Sequence, residues 1–350
     1  MLIERSKKIF NATGADKLIV TAPDLRFYLT GFASSDGLVL VDENGATFYT
    51  DARYLEAASA ALSGTGIEVK EPPRAGYLSL VEGSGRVAAA LSRITADEYI
   101  ALSKKVVEVT DCTAAFTAEM GVKDDGELAA IKKACEIADK AFEDMLGAFK
   151  EGMTENDAAA ELEYRMRKFG ASGTSFETIM AFGEGSSVPH HETGFRTLRH
   201  GDIILMDFGC KWGGYCSDCT RTFLFGDDKK HEDFKKAYAK VLEAHMAAKE
   251  KICDGMTGAE ADAIARNVLK EGGLDKYFTH SLGHGIGINI HEFPRLAPKS
   301  SAVLKNGMVF SDEPGVYFEG DFGIRIEDSV TLSDGKVVSL TNSDKKLIVL

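Results

Sequence analysis

The 350-residue chain is predicted to be an α/β protein of the α+β kind, with a small N-terminal α/β domain and a larger second domain that contains an internal pseudo-twofold repeat. Three observations predict this organisation. The chain is longer than one compact core usually needs. Short strand-like and helix-like segments alternate through its first third. Several short motifs then occur twice in the same order. We place the domains at residues 1–122 and 123–350.

The first third alternates between strand and helix patterns. Runs rich in β-branched residues predict strands at 17–23, 37–51 and 66–72, and the second run indicates a hairpin with its turn near Glu43–Gly45. Helical patterns are found at Arg53–Leu62 and Ala96–Leu102. This alternation is typical of a small α/β domain.

A charged, glycine-containing stretch at 121–126 separates the first domain from a long amphipathic helix. Apolar residues keep helical spacing over about Glu127–Lys150. Asp124 or Asp125 is predicted to cap the first turn of this helix, because an aspartate at that position can accept hydrogen bonds from free backbone N–H groups.

The second domain contains the repeat. The tripeptide Gly-Met-Thr occurs at 152–154 and 255–257, where Thr154 and Thr257 are predicted helix N-caps. Further aligned pairs are His190 with His291, Asp207 with Glu313, and Gly209 with Gly315. Chance does not readily produce so many matches in one order. Two similar halves are therefore expected to pack about a pseudo-twofold axis, with a site in the cleft between them.

The composition excludes several classes of protein. Lys and Arg total 41 against 54 Asp and Glu, so the net charge is −13, and such a surface repels phosphate backbones and anionic lipid. No apolar run reaches the roughly 18 residues of a membrane span, and the N-terminal stretch carries charges where a secretory signal needs apolar residues. We expect a cytoplasmic protein with no nucleic-acid or membrane partner, and six reduced cysteines.

Two aspartates are placed close together by a predicted hairpin at 206–223. If its turn is centred between Trp212 and Gly213, Asp207 and Asp218 lie directly opposite each other, with Cβ atoms about 5 Å apart. Carboxylates that close repel unless a proton or a cation lies between them. The alternative is a pair of exposed aspartates on a solvated strand face.

The second half supplies further metal-ligand types. His280, His284 and His291 fall within twelve residues, among glycines, and Glu313 and Glu327 end predicted strands. Four carboxylates and one imidazole form a ligand set suited to two Mn, Co or Zn ions, and one imidazole among hard oxygen donors favours Mn²⁺. The proposed metal ligands are Asp207, Asp218, His284, Glu313 and Glu327.

The other histidines have simpler interpretations. Only one of the adjacent His190 and His191 is expected to face a site, and the repeat selects His190. His280 could be a hydrogen-bonded core residue. Three histidines that stand among charged residues are expected at the surface: His200, His231 and His245.

In these motifs the chain resembles the pita-bread metallopeptidases of the aminopeptidase P and prolidase group. Residues 125–350 resemble the catalytic domain, and the segments 29–32 and 50–54 match the creatinase-type N-terminal domain. All five metal ligands of the family have a counterpart here. The resemblance adds accessory residues at His190, His280, His291 and Arg325. Asp312 departs from the pattern, because the family more often has an uncharged residue before the glutamate ligand.

The resemblance implies a metal-dependent exopeptidase that cleaves between an N-terminal residue and proline, using a hydroxide bridged by two metal ions. Asp207 would help bind the free α-amino group, and Glu313 would accept a proton. His190 and His291 would bind the reacting carbonyl or the oxyanion, and His280 would line the proline pocket. The remaining roles concern Arg325, which would orient the ligands, and Arg295, which would hold a dipeptide's carboxylate. A homodimer is also implied.

Several alternatives stay open. A dipeptidase and an aminopeptidase P are hard to separate, although Arg295 and the short N-terminal domain slightly favour dipeptides. A methionine aminopeptidase-like enzyme lacks this N-terminal domain, and a creatinase-like amidinohydrolase discards metal ligands. A non-catalytic peptide-binding module on the same scaffold typically loses the ligands that this chain keeps.

Overall fold

The structure, a computed structural model, describes residues 2–227 and 231–350. The chain forms two compact units, Met1–Met120 and Gly121–Leu350. Both units contain helices and strands, which confirms the predicted mixed α/β class. The exact domain boundary between residues 122 and 123 stays a prediction.

The first unit is built around a mixed sheet. Its helices are Leu2–Thr13 (α1), Pro23–Thr30 (α2), Leu55–Ala61 (α3), Ala96–Ser103 (α4) and Thr113–Gly121 (α5). Its strands are Lys17–Val20 (β1), Leu38–Asp42 (β2), Gly45–Tyr49 (β3), Ile67–Lys70 (β4), Arg86–Ala89 (β5) and Glu108–Asp111 (β6). The strands follow in the order β4-β3-β2-β1-β5-β6. The predicted hairpin is β2–β3, where Asp42 pairs with Gly45.

The second unit contains the repeated halves. Its helices are Asp125–Leu146 (α6), Glu155–Lys168 (α7), Glu232–Lys251 (α8) and Gly258–Glu271 (α9). The strands of its first half are Gly173–Thr174 (β7), Ile179–Phe182 (β8), Asp202–Phe208 (β9), Cys210–Trp212 (β10), Tyr215–Cys216 (β11) and Cys219–Phe225 (β12). The later strands are Gly283–Gly285 (β13), Glu292–Leu296 (β14), Val309–Asp312 (β15), Gly315–Phe318 (β16), Phe322–Arg325 (β17), Glu327–Ser333 (β18) and Lys336–Ser339 (β19).

Capping residues start the helices at the positions that the sequence predicts. Asp124 caps α6 and accepts from the backbone N–H of Glu127, whose side chain reaches back in a capping box. Thr154 and Thr257 cap α7 and α9 in the same way. The threonines of the two Gly-Met-Thr motifs therefore cap equivalent helices in the two halves.

One large sheet joins the halves, with strands in the order β14-β13-β15-β18-β12-β9-β8 and with β19 beside β18. On β9, Ile204, Met206 and Phe208 pack into the core formed with α6 and α7. Because side chains alternate along a strand, Asp207 faces the opposite side of the sheet. The helices thus cover one face of β9 and leave the other for the site.

The predicted register of the aspartate hairpin is wrong. Gly213 and Gly214 both have positive φ, at 59° and 86°, as a tight two-residue hairpin turn requires. The turn is therefore centred between these glycines, one residue later than predicted. As a result, Asp207 pairs with Thr220, and Asp218 lies two residues away from the predicted position.

Two of the three histidines expected at the surface are buried. His200 is exposed, but His231 and His245 are 3% and 0% exposed. His245 lies on the face of α8 that also carries Val241 and Ala248, and this face packs into the core. The neighbouring charges occupy the other faces of the helix, so local charge density was a poor guide to burial.

The remaining sequence-level expectations concern the thiols and the membrane. All six cysteines are free. Within the described residues, no helix combines the length and the apolar character needed to cross a bilayer.

Candidate metal centre

A single open cleft in the second unit, with a volume of about 1400 Å³, is lined by every residue that the sequence assigns to the site. These residues come from both repeated halves and lie up to 137 positions apart, since 327 − 190 = 137. They are His190, Asp207, Asp218, His280, His284, His291, Arg295, Glu313, Arg325 and Glu327.

Three of the predicted metal ligands form a compact group. One ligand atom from each of Asp218, His284 and Glu327 lies within 4.8 Å of the other two. His284 Nε2 is 3.6 Å from Asp218 Oδ2 and 3.4 Å from Glu313 Oε1. The structure therefore brings three of the predicted carboxylate ligands close to the imidazole of the fourth, His284.

The protonation of His284 suits metal binding. Its Nδ1 is 3.2 Å from the carbonyl oxygen of Gly285, which can only accept, so Nδ1 carries the proton. The lone pair of Nε2 therefore points to the carboxylates. Burial lowers the pKa of His284, which favours this neutral form. The backbone N–H of His284 donates to Ser311 Oγ at 3.0 Å and holds the strand in place.

The carboxylates are crowded and buried. Burial, followed by the neighbouring carboxylates, raises the pKa of Asp218 and of Glu327 well above their ordinary values. Burial also raises the pKa of Glu313 to about 7. Asp207 has one buried oxygen, Oδ1, with no hydrogen-bond partner in the described structure. A bound cation would relieve the repulsion between these carboxylates and give Asp207 Oδ1 a partner, so this donor set fits divalent metal ions.

Asp207 is held by a hydrogen-bonded chain that ends at His280. Arg325 Nη2 donates to Asp207 Oδ2 at 2.6 Å, and Arg325 Nη1 donates to the Tyr317 hydroxyl at 2.6 Å. The Tyr317 hydroxyl in turn lies 3.1 Å from His280 Nε2. Burial and Arg325 lower the pKa of His280 to about 4, so the ring is neutral and Nε2 accepts from Tyr317.

The sequence interpretation missed several supporting residues. Tyr317 is one, although its place four residues after Glu313 offered a signal. Hydroxyl groups also fix the carboxylates: Thr220 donates to Glu327 Oε2 at 2.5 Å, and Ser311 donates to Glu313 Oε1 at 2.9 Å. No local pattern marks Thr220, because it acts on a residue 107 positions away, whereas Ser311 lies only two residues before the Glu313 that it binds.

The wall of the cleft carries the remaining predicted residues. The His291 ring centroid is 4.2 Å from that of His284. Arg295 pairs with His284 across β13 and β14, so both side chains leave the same face of the sheet. His190 and His191 both line the cleft, and the choice of His190 as the one that faces the metal site stays a prediction. The segment between β8 and β9 that carries them is irregular, and strand alternation does not apply to it.

His191 has a structural partner. Its Nε2 lies 2.9 Å from Oε2 of the buried Glu155, and this carboxylate also accepts from the backbone N–H groups of Phe182 and Gly194. Glu155 thereby ties the loop that carries His190 to the start of α7.

Comparison with known proteins agrees with this geometry. Residues 129–334 match metallopeptidase family M24, and residues 3–118 match the creatinase/prolidase N-terminal domain. An Xaa-Pro dipeptidase of Pyrococcus furiosus is 32% identical over 99% of both chains.

Solved structures are similar over the whole chain. The Xaa-Pro dipeptidase from Bacillus anthracis has a TM-score of 0.93 and 36% identity, covering 100% of this chain and 99% of its own. The X-Pro aminopeptidase from Thermotoga maritima has a TM-score of 0.89 and 32% identity, covering 98% and 99%. The chain therefore belongs to metallopeptidase family M24 and is a metal-dependent exopeptidase.

Proposed function

We propose that this chain is an Xaa-Pro dipeptidase that hydrolyses the bond between an N-terminal residue and proline. The main support for this proposal is that Asp218, His284, Glu313 and Glu327 converge on one point of an open cleft. With Asp207, they would hold two divalent ions. Xaa-Pro dipeptidases with full-length similarity to this chain support the substrate class.

Mn²⁺ is the metal that the ligands favour, because one imidazole stands among carboxylate oxygens; Co²⁺ and Zn²⁺ are the alternatives. When bound, the ions would lower the pKa of water and supply hydroxide near neutral pH.

The protein's own residues would position the substrate and move protons. Asp207 has a free, buried Oδ1 in the cleft, which suits it to a substrate ammonium as well as to a metal. Glu313 would accept a proton from the attacking water and return it to the prolyl nitrogen, which leaves as an amine. Ser311 restrains one oxygen of Glu313, and the other lies 4.0 Å from His280 Nδ1.

Three histidines would recognise the scissile bond. His190 and His291 line the cleft and would donate hydrogen bonds to the developing oxyanion. His280 would contact the proline ring, since both of its nitrogens are already hydrogen-bonded and offer no new polar contact. A tertiary Xaa–Pro amide has no N–H, so a pocket that demands none accepts proline.

Arg295 supports the dipeptide assignment. It is exposed on the cleft wall directly opposite His284, and no ion pair of the described residues includes it. Its guanidinium would therefore be available to a dipeptide's terminal carboxylate.

An aminopeptidase P is the second candidate, because the cleft is large enough for a peptide longer than a dipeptide. Its volume of about 1400 Å³ exceeds the roughly 300–1000 Å³ of typical small-molecule pockets. A longer peptide would fit such a space. The similarity to the X-Pro aminopeptidase from Thermotoga maritima also keeps this alternative open.

We also propose that the protein is a homodimer, on the basis of its family resemblance. Light scattering at micromolar concentration is expected to give twice the mass of the 37.8 kDa chain. A single-chain mass would contradict this proposal.

The deciding experiment is hydrolysis of Ala-Pro and Ala-Pro-Ala by metal-stripped enzyme, with and without added Mn²⁺, Co²⁺ or Zn²⁺. Metal-dependent cleavage of Ala-Pro alone is the expected result for a dipeptidase. Cleavage of the tripeptide would establish the aminopeptidase instead. No metal-dependent cleavage of either peptide would refute the proposed substrate class and favour a non-catalytic binding role.

A further inference from the structure

A second pair of carboxylates lies behind the site. Asp312 directly precedes Glu313, and Asp328 directly follows Glu327. Asp312 and Asp328 pair with each other across β15 and β18 and are 1% and 0% exposed. Because side chains alternate along strands, these aspartates point away from the cleft, toward the side of the sheet that α8 covers.

His245 of α8 lies between the two aspartates. Its Nδ1 is 3.2 Å from Asp312 Oδ2, and its Nε2 is 3.5 Å from Asp328 Oδ2. Arg221 and Lys345 also bind Asp328, at 2.8 and 2.9 Å. Within the described part of the chain, the ion pair of Asp312 is the one with His245.

The imidazole lies where two buried carboxyl groups face each other. Such groups repel unless a proton or a cation lies between them. Burial lowers the pKa of His245, but Asp312 and Asp328 raise it more, so the pKa lies above its ordinary value. Removing one partner of a buried ion pair leaves an uncompensated charge, which is strongly destabilising.

We infer that His245 is a positioning residue for the metal ligands. Its Nδ1 lies 3.2 Å from the backbone oxygen of Asp312, and its ring lies between the carboxyl groups of Asp312 and Asp328 on the back of the sheet. In this position it would hold β15 against β18 and so set the separation of Glu313 and Glu327 on the front. The inference rests on the metal site proposed above.

The test is isothermal titration of Mn²⁺ into the metal-stripped full-length protein. His245→Leu removes these contacts and is expected to weaken Mn²⁺ binding by about 10-fold, the lower end of the effect of losing a ligand's own partner, because His245 acts on the ligands through Asp312 and Asp328. At saturating Mn²⁺, the KM for Ala-Pro stays at the wild-type value, because His245 does not line the cleft. His245→Gln keeps an N–H donor and is expected to lose less affinity.

A double variant separates positioning from general stability. In His245→Leu/Asp312→Asn an amide replaces the buried carboxyl group that has lost its neighbour, so Mn²⁺ binding is expected to recover part of the affinity lost in His245→Leu. His231→Leu is the matched control. It removes another buried histidine at the start of the same helix, which contacts Asp227 and the Gly201 carbonyl and neither Asp312 nor Asp328, and leaves the Mn²⁺ dissociation constant unchanged.

The outcomes are distinguishable. Wild-type Mn²⁺ affinity in a folded His245→Leu variant overturns the role of His245 while leaving the proposed function intact. If His245→Leu does not fold, His245→Gln is compared with His245→Gln/Asp312→Asn. The inference fails if adding Asp312→Asn does not lower the Mn²⁺ dissociation constant. Absence of Mn²⁺ binding by the wild type overturns the metal site and, with it, this inference.

Discussion

Thr220 donates a hydrogen bond of 2.5 Å to Glu327 and accepts one of 2.9 Å from Arg325. It also pairs with Asp207 across β9 and β12 and with Glu327 across β12 and β18. One buried hydroxyl thus links residues from both halves of the second unit.

The substitution Thr220→Val keeps the shape of the side chain and removes this link. Mn²⁺ binding is expected to weaken by about 10- to 100-fold, because Glu327 loses the group that orients it. Thr331→Val is the control: Thr331 is also buried, and its hydroxyl donates to the Met308 carbonyl instead. Both variants should lose about 1 kcal/mol of stability. Titration calorimetry that finds equal Mn²⁺ affinities in the two variants would contradict the prediction.

Asp218→Asn should have opposite effects on activity and on the stability of the metal-free protein. Metal-dependent hydrolysis of Ala-Pro is expected to fall by more than about 100-fold. This loss is larger than the usual effect of replacing a residue that contacts a metal ligand but not the metal itself. The melting temperature without metal should rise by roughly 2–4 °C, equivalent to about 1 kcal/mol, because one of the mutually repelling carboxylates is removed. Full retention of hydrolysis would falsify the two-metal assignment.

Metal binding should release protons. Burial raises the pKa of Glu313 to about 7 without metal. The protonated carboxyl therefore stabilises the metal-free fold at low pH, and this contribution is lost as the pH rises through about 7. Because the metal binds the ionised form, Mn²⁺ affinity should increase from about pH 6 to about pH 8. Calorimetry in two buffers of different ionisation enthalpy measures the protons released, and identical apparent enthalpies would rule the effect out.

Arg295→Ala should affect dipeptides selectively. The KM for Ala-Pro is expected to rise by about 10- to 100-fold, since a charge-assisted hydrogen bond to the carboxylate contributes about 1.5–3 kcal/mol. Cleavage of Ala-Pro-NH₂, which lacks that carboxylate, should be unchanged. Lys299→Ala is the control, because Lys299 is exposed but does not line the cleft. An equal loss on both substrates would show that Arg295 does not bind the carboxylate.

The elements with local signals were predictable from the sequence. Asp124, Thr154 and Thr257 start helices because a capping side chain acts on backbone groups within one turn. The five metal ligands stay a prediction, which rests on the family resemblance and on the repeat that aligns Asp207 with Glu313.

Long-range geometry was less predictable. Moving the hairpin turn by one residue, to Gly213–Gly214, displaces the partner of Asp207 by two positions. The burial of His245 and the hydroxyl bonds of Thr220 depend on strands and helices that are distant in the chain. No pattern within a short window contains that information.

The row of paired residues through Asp207, Thr220 and Glu327 also has a consequence during protein synthesis. Glu327 lies 107 residues after Thr220 in the chain. A nascent chain that has completed β12 already carries Asp207 and Asp218 but still lacks the strand that brings Glu327 to them. Two of the five proposed ligands are therefore made long before the other three, and a growing polypeptide should capture its ions only after β18 has joined the sheet.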